Sequence, residues 1–133
     1  LKVGLAKVDL STSEAFVRGI FCNSLVCLAS WMVYASRTVM DKVFSVIFPV
    51  SAFVAMGFEH CIANMFMIPL AMVAALNPEV VAASGVSAEA LQNLTLSGFI
   101  SNLIPVTLGN IFGGTIMVGM SLYVVYLYGR DDD

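Results

Sequence analysis

One long stretch of this chain is almost free of charge. Residues 43–129 carry three charged side chains, Glu59, Glu79 and Glu89. A water-soluble surface needs many more charged groups, so this stretch cannot form the outside of a soluble domain. Of the 133 residues, 59% are hydrophobic and only 11% are charged, which is typical of a protein embedded in a lipid bilayer. The sequence therefore predicts an all-α integral membrane protein.

Three apolar segments are long enough to cross the bilayer. Segment A covers residues 15–36, segment B covers residues 42–76, and segment C covers residues 96–128. A helix of about 20 residues spans a hydrocarbon core about 30 Å thick, so segment A is expected to be one plain helix. We interpret residues 1–133 as a single transmembrane domain with three crossings.

Segment B is too long for a simple crossing. As one continuous helix it would reach roughly 50 Å. Pro49, Gly57 and Pro69 punctuate it, and a proline inside a helix removes a hydrogen-bond donor and clashes with the preceding turn. We therefore predict a broken helix, interrupted near residues 53–60.

Segment C contains glycines at a spacing that favours helix packing. Gly109 and Gly113 are four residues apart and lie on one face of a helix, where they would let another helix backbone approach closely. The alternative is that glycine is simply common in membrane helices. Close packing is the interpretation that we favour.

The charges of the connections predict an orientation. The connection between segments A and B holds Arg37 and Lys42, whereas residues 77–95 contain two glutamates and neither lysine nor arginine. Positively charged loops stay in the cytoplasm, so Arg37, Lys42 and the C-terminus are predicted to be cytoplasmic and residues 77–95 to lie outside. Three basic residues then fall on the outer side, against the rule: Lys2, Lys7 and Arg18.

Several classes of function lack the residues that they need. The chain shows no nucleophile beside a base, no glycine-rich phosphate loop and no cluster of metal ligands, so we expect neither an enzyme nor a cofactor. There is no basic face for nucleic acid, and the net charge of −3 owes much to a terminal acidic run, residues 131–133, which we expect to be a solvated tail. Three cysteines in apolar stretches are interpreted as small core residues: Cys22, Cys27 and Cys61.

Two ionisable residues stand together in the middle of segment B. Placing an ionisable side chain at that depth costs about 2.5 to 3.5 kcal/mol, so Glu59 and His60 need a partner or a water-filled cavity. Glu59 could be tied to a cation and His60 to backbone carbonyls, or His60 could face a path for solute. Phe53, one to two turns earlier, and Val26, midway along segment A, could narrow such a path, although packing is the usual role of such side chains.

Buried amides are a further group of candidates. Asn23, Asn64 and Asn110 lie inside the apolar segments, where an amide can join two helices by hydrogen bonds or donate to an anion. We favour the helix-joining role for Asn64. Both roles stay open for Asn23 and Asn110.

Three motifs resemble helices of the formate/nitrite transporter family, and within it the bacterial formate channels. Residues 18–29 (RGIFCNSLVCLA) resemble its fourth helix, residues 57–65 (GFEHCIANM) its broken fifth helix, and residues 102–110 (NLIPVTLGN) its sixth. The resemblance implies a homopentamer of aquaporin-like six-helix protomers, each with its own pore and built from two inverted three-helix halves. This chain would supply the second half, with a broken middle helix.

The resemblance also implies roles for single residues. His60 would be the central pore histidine, Phe53 part of an apolar constriction beside it, and Val26 would narrow the same passage from segment A. A polar group near the periplasmic side would consist of Lys7, Glu59 and Asn110, in which Lys7 draws anions in.

The function expected from these features is a passive or pH-gated channel for formate and similar small monovalent anions across the bacterial inner membrane. A proton-coupled transporter of nitrite, hydrosulfide or lactate in the same family is the alternative. A membrane anchor of a redox complex, with His60 as a haem ligand, is a third class. The presence of a single candidate for an axial ligand argues against the anchor.

Overall fold

A computed structural model describes residues 1–129, all of whose regular structure is helical. The acidic run at residues 131–133, which is predicted to be a solvated tail, lies outside the described residues. In chain order the helices are α1 Lys2–Val8, α2 Thr12–Ala35, α3 Val39–Ala55, α4 Cys61–Ala74, α5 Pro78–Ser84, α6 Leu96–Ile111 and α7 Ser121–Tyr126. A 3₁₀ turn, Ala90–Asn93, precedes α6, and a π-helix, Phe112–Met120, joins α6 to α7.

Two helices are each long and apolar enough to cross a membrane. One is α2, and the other is the continuous helix Leu96–Tyr126, formed by α6, the π-helix and α7. Helix α2 begins a few residues before segment A because Ser11 caps it: the Ser11 side chain accepts a hydrogen bond from the Glu14 N–H. One of the N–H groups at the start of the helix thereby has a hydrogen-bond partner, so the helix can begin in the polar residues before segment A.

Segment B forms two shorter helices, α3 of 17 residues and α4 of 14 residues. Helix α3 starts with a capping box in which Thr38 and Asp41 bond each other's backbone N–H groups. Pro49 and Pro69 both lie inside helices, so of the possible break or kink points neither proline is where the segment is interrupted. The interruption covers residues 56–60 and turns at Gly57, whose φ of 65° is a conformation that residues with a side chain rarely adopt.

Glycines bring α2 and α6 into close contact. A Cβ atom added at Gly109 would overlap the carbonyl oxygen of Phe16, and one added at Gly113 would overlap that of Ile20. Gly19 on α2 faces the carbonyl oxygen of Val106 in the same way, at 2.8 Å from the position of an added Cβ. The glycine spacing in segment C therefore serves close helix packing, and it brings the polar side chains of α6 within reach of α2.

A short helix that the sequence analysis did not predict lies against α4. Helix α1 contributes Leu5 to a buried cluster with Ile68 and Ala71 of α4 and with Leu94. Helix α5 and the 3₁₀ turn occupy the predicted connection 77–95, and the axes of α4 and α5 enclose 108°. Because α1 is anchored by this cluster, its Lys7 reaches the interruption between α3 and α4.

Candidate functional site

The interruption of segment B is fastened to helix α2. The Arg18 guanidinium donates a hydrogen bond to the Gly57 carbonyl oxygen (3.1 Å), and the Glu59 N–H donates to the Arg18 carbonyl oxygen (3.4 Å). Arg18 also pairs with Glu14 one turn earlier on α2, with 2.6 Å between Nη2 and Oε1. Side chain and backbone of one residue thus fix both ends of the stretch from Gly57 to Glu59.

Asn110 of α6 satisfies the backbone at this interruption. Its Nδ2 donates to the carbonyl oxygens of Gly19 and Glu59, at 2.9 Å each, and its Oδ1 accepts from the Cys61 N–H at 3.0 Å. The first N–H groups of a helix have no partner within the helix, and this buried amide supplies an acceptor for one of them in α4. Both N–H groups of Asn110 are engaged, so its contacts in this structure are those that join helices.

Asn23 belongs to the same contact between α2 and α6. Its Nδ2 donates to the Asn110 carbonyl oxygen at 2.7 Å, and the side chain is half-buried. The structure therefore brings Asn23 and Asn110 together, one helix turn from the glycines that allow the close approach.

Glu59 is a buried carboxylate with a cationic partner. Its side chain is 3% exposed, and its Oε1 lies 2.8 Å from the Lys7 ammonium, whose side chain is 13% exposed. Its Oε2 accepts a hydrogen bond from Asn64 Nδ2 at 2.6 Å. A buried charge is tolerated when it is paired and hydrogen-bonded in this way. The structure thus pairs the side chains of Lys7 and Glu59, and the third residue that the resemblance assigns to the polar group, Asn110, donates to the main chain of Glu59.

His60 is the first residue of the turn that starts α4. Its Nδ1 accepts a hydrogen bond from the Ala63 N–H at 3.4 Å, which makes the imidazole the N-terminal cap of the helix. The ring of Phe53 stacks on it, with ring centroids 6.0 Å apart and 22° between the planes. Helix α3 thus ends with an aromatic ring that covers the side chain at which α4 begins.

Lys7, Phe53 and His60 line one groove of about 200 Å³. The rest of the lining is apolar apart from the backbone of Gly57: Val3, Val54, Phe58, Ala63 and Met67. Glu59 is not among the lining residues, because it lies buried behind Lys7. The groove therefore combines one lysine and one histidine side chain with an apolar wall.

Val26 lies elsewhere. It lines a second groove, between α2 and α3, together with Val46 and Val50. The resemblance implies that Val26 narrows the passage of His60 and Phe53, but the structure does not place Val26 in their groove.

Asn102 also belongs to the polar site, although it was not among the predicted site residues. Its Oδ1 accepts from Asn64 Nδ2 at 2.8 Å, and its Nδ2 donates to the Lys7 carbonyl oxygen at 2.7 Å. Asn102 is 4% exposed, and its position in an apolar segment is the same signal that singled out the other three amides. Within residues 1–129, no group of three or more His, Cys, Asp or Glu side chains could hold a metal ion.

Membrane-length apolar helices around an interrupted one, with a histidine and an ion pair at the interruption, define a polytopic membrane protein with a discontinuous helix. A family profile described as formate/nitrite transporter matches residues 1–124. The chain belongs to the formate/nitrite transporter family, as its sequence motifs predicted.

Individual relatives agree with this assignment. The chain is 49% identical over 128 residues to the protein named formate channel FocA of Escherichia coli K12, an alignment that covers 94% of this chain and 45% of that protein. It is 50% identical over 117 residues to formate channel FocA of Haemophilus influenzae, covering 86% of this chain and 41% of that protein. The chain thus spans less than half the length of these curated relatives.

Solved structures show the same fold. A structure titled "Pentameric formate channel with formate bound" superimposes with a TM-score of 0.83 at 45% identity, covering 95% of this chain and 51% of that one. A structure titled "FNT family ion channel" gives a TM-score of 0.73 at 31% identity, covering 93% and 44%. The predicted fold class, including the broken middle helix, is confirmed, and the relatives are channels and transporters.

Proposed function

We propose that this chain forms half of each pore in a homopentameric channel for formate and similarly small monovalent anions, with no enzymatic activity. The channel would lie in the bacterial inner membrane with the C-terminus in the cytoplasm. The observation that carries the proposal is the groove at the interruption of segment B, on which Lys7, Phe53 and His60 meet. The similarity to proteins named as formate channels supports the choice of anion.

Lys7 attracts the anion in this mechanism. The Lys7 side chain lines the groove and is 13% exposed, whereas the carboxylate that balances its charge is 3% exposed. An anion that approaches through the groove therefore meets the positive end of the pair first. Salt weakens such attraction least where the charges are partly shielded from water, as they are here.

The apolar wall around Phe53 sets the energetic problem of the crossing. A bare anion in a low-dielectric constriction faces a desolvation cost of order 20 kcal/mol in the ideal limit, and still several after relaxation. Protonating a carboxylic acid with a pKa of about 4 at about pH 7 costs only about 4 kcal/mol. The neutral acid is therefore the cheaper species to move past the constriction.

His60 supplies the hydrogen bond or the proton at that point. Histidine is the side chain whose ordinary titration lies nearest to physiological pH, and this one lines the groove beside Phe53. The stacked Phe53 ring places an apolar surface beside the imidazole. The pair thus combines a dry constriction with a group that can hold or deliver a proton.

A panel of anion fluxes tests the function. The full-length protein is reconstituted in liposomes, and the fluxes of formate, nitrite, hydrosulfide and lactate are measured at two pH values. We expect formate flux well above that of protein-free liposomes, and a higher flux per total formate at the lower pH. Formate flux no faster than in protein-free liposomes would refute the proposal.

Dissipation of the proton gradient separates the two kinds of transport. A channel conducts formate down its own gradient, so an ionophore that abolishes the proton gradient should leave formate flux in place. Loss of net flux under that treatment would assign the protein to the proton-coupled transporters instead.

A further inference from the structure

A closed circuit of hydrogen bonds runs behind the groove. The Lys7 ammonium donates to Glu59 Oε1 (2.8 Å), and Glu59 Oε2 accepts from Asn64 Nδ2 (2.6 Å). The same nitrogen donates to Asn102 Oδ1 (2.8 Å), and Asn102 Nδ2 donates to the Lys7 carbonyl oxygen (2.7 Å). The circuit begins and ends on Lys7, and it joins α1, the interruption of segment B, α4 and α6.

The contacts fix the direction of each amide in this circuit. Asn64 Nδ2 faces two acceptors, and turning the amide over would bring its oxygen against the Glu59 carboxylate and the Asn102 oxygen. In that orientation Asn64 Oδ1 is fully buried and has no hydrogen-bond partner among residues 1–129. A buried acceptor without a partner is unfavourable, so Asn64 keeps this orientation at a cost to itself. This orientation gives Glu59 a hydrogen bond from Asn64, and Glu59 in turn accepts a hydrogen bond from Lys7.

We propose that Asn64 and Asn102 are positioning residues for Lys7, an inference that rests on the proposed function of Lys7 in attracting the anion. Asn64 holds the Glu59 carboxylate so that its other oxygen faces the ammonium. Asn102 holds the backbone of α1 at Lys7 itself. The side chain and the main chain of one lysine are thus fixed by two separate amides.

Fixing Lys7 matters because lysine is flexible. A free lysine side chain populates many rotamers, and ordering it when an anion arrives would weaken binding. In this structure the order is already present before the anion enters. Losing either amide should therefore raise the formate concentration that gives half-maximal flux. The maximal flux, which depends on Phe53 and His60, should change little.

A double-mutant cycle in the reconstituted full-length protein tests this role. Asn64→Leu and Asn102→Leu remove the amides at similar volume, and Lys7→Met removes the ammonium. We expect each single variant to raise the half-saturating formate concentration about tenfold, which corresponds to about 1.4 kcal/mol. Adding Asn64→Leu to Lys7→Met should raise it no further, because residues that act through one group are not additive.

The matched control is Asn93→Leu. Asn93 donates to Asp9 Oδ1 at 2.9 Å, outside the circuit and on the exposed surface. Its half-saturating concentration should equal that of the unmodified protein.

Each outcome decides between the two proposals. An unchanged value in Lys7→Met contradicts the function proposed for Lys7. A raised value in Lys7→Met, with Asn64→Leu unchanged or fully additive to it, overturns the positioning role alone. If Asn64→Leu does not fold, Asn102→Leu carries the same cycle. Failure of both to fold would make the circuit a requirement of folding and would equally overturn the inference.

Discussion

At the scale of single residues, the cap of α4 suggests a clean substitution for His60. Asparagine is among the best N-terminal caps, so His60→Asn should preserve the helix start while removing the titratable ring. We expect formate flux to lose its dependence on pH between about 5 and 8, the range in which histidine titrates. The flux is measured in liposomes over that range, together with thermal unfolding. An unchanged curve of flux against pH would contradict the role of His60.

Phe53 provides a second test at this scale. Its ring covers His60, so Phe53→Ala should open the constriction to water and to larger carboxylates. We expect the ratio of lactate to formate flux to rise severalfold, by about 1 kcal/mol of lost discrimination.

The control for Phe53 lies on the same helix. Phe48 stacks on Phe44 and is 65% exposed, and it does not line the groove of His60. Phe48→Ala should leave the flux ratio unchanged. Equal ratios in Phe53→Ala and the unmodified protein would argue against a selective constriction.

Part of the site could be read from the sequence, and part could not. An acidic residue and a histidine inside an apolar segment indicate a candidate functional position by composition alone. Glu59 and His60 could therefore be predicted from the sequence. Lys7 lies 52 residues from Glu59, and its partnership entered only through the resemblance to the family. Asn102 has no local feature that separates a helix-joining amide from one that holds Lys7. That difference depends on which neighbours the folded helices bring to it.

At the scale of helices, the length of segment B predicted an interruption but not its cause. Pro49 and Pro69 lie inside continuous helices. Membrane helices tolerate proline because neighbouring groups satisfy the carbonyl oxygens that it leaves without a donor. Gly57 turns the chain, because a positive φ is a conformation that only glycine adopts without strain. Helix α1 was missed because its seven residues are too short to show a periodic pattern, and its position depends on contacts with α4.

The contact of α2 with the continuous helix Leu96–Tyr126 gives a prediction about stability. A methyl group at Gly113 would overlap the Ile20 carbonyl oxygen, so Gly113→Ala must push the two helices apart. We expect a loss of about 1 to 3 kcal/mol, the usual range for overpacking, measured by thermal unfolding in detergent.

Gly119→Ala is the matched control for this helix. Its added Cβ would lie 3.3 Å from the nearest atom, the Gly114 carbonyl oxygen, so it meets no backbone of another helix. Equal shifts of the unfolding temperature in the two variants would show that Gly113 is not needed for the close approach of α2 to this helix.

At the scale of the whole molecule, aromatic residues mark one membrane boundary. Trp31 near the end of α2 packs against Tyr126 at the end of α7, with ring centroids 5.3 Å apart and 43° between the ring planes. Tryptophan and tyrosine prefer the interface between lipid and water, so we expect both helices to leave the bilayer on this side. Arg37 follows α2 directly, which favours the cytoplasm for this boundary.

Labelling of single cysteines in intact cells tests the orientation. With a thiol reagent that does not cross the membrane, we expect Ser87→Cys to react and Arg37→Cys to react only after the cells are opened. The unsubstituted protein, in which Cys22 is buried and Cys27 and Cys61 are half-buried, gives the background. The opposite pattern would reverse the predicted topology.

The hydrogen bonds of Asn110 affect how tightly the proposed pore can bind an anion. Both of its side-chain N–H groups donate to carbonyl oxygens of the protein, so this amide has no free donor for a solute at the interruption. A conducting site must be attractive enough to be entered and loose enough to be left. Because this amide is closed off, we expect the proposed channel to hold each anion only briefly.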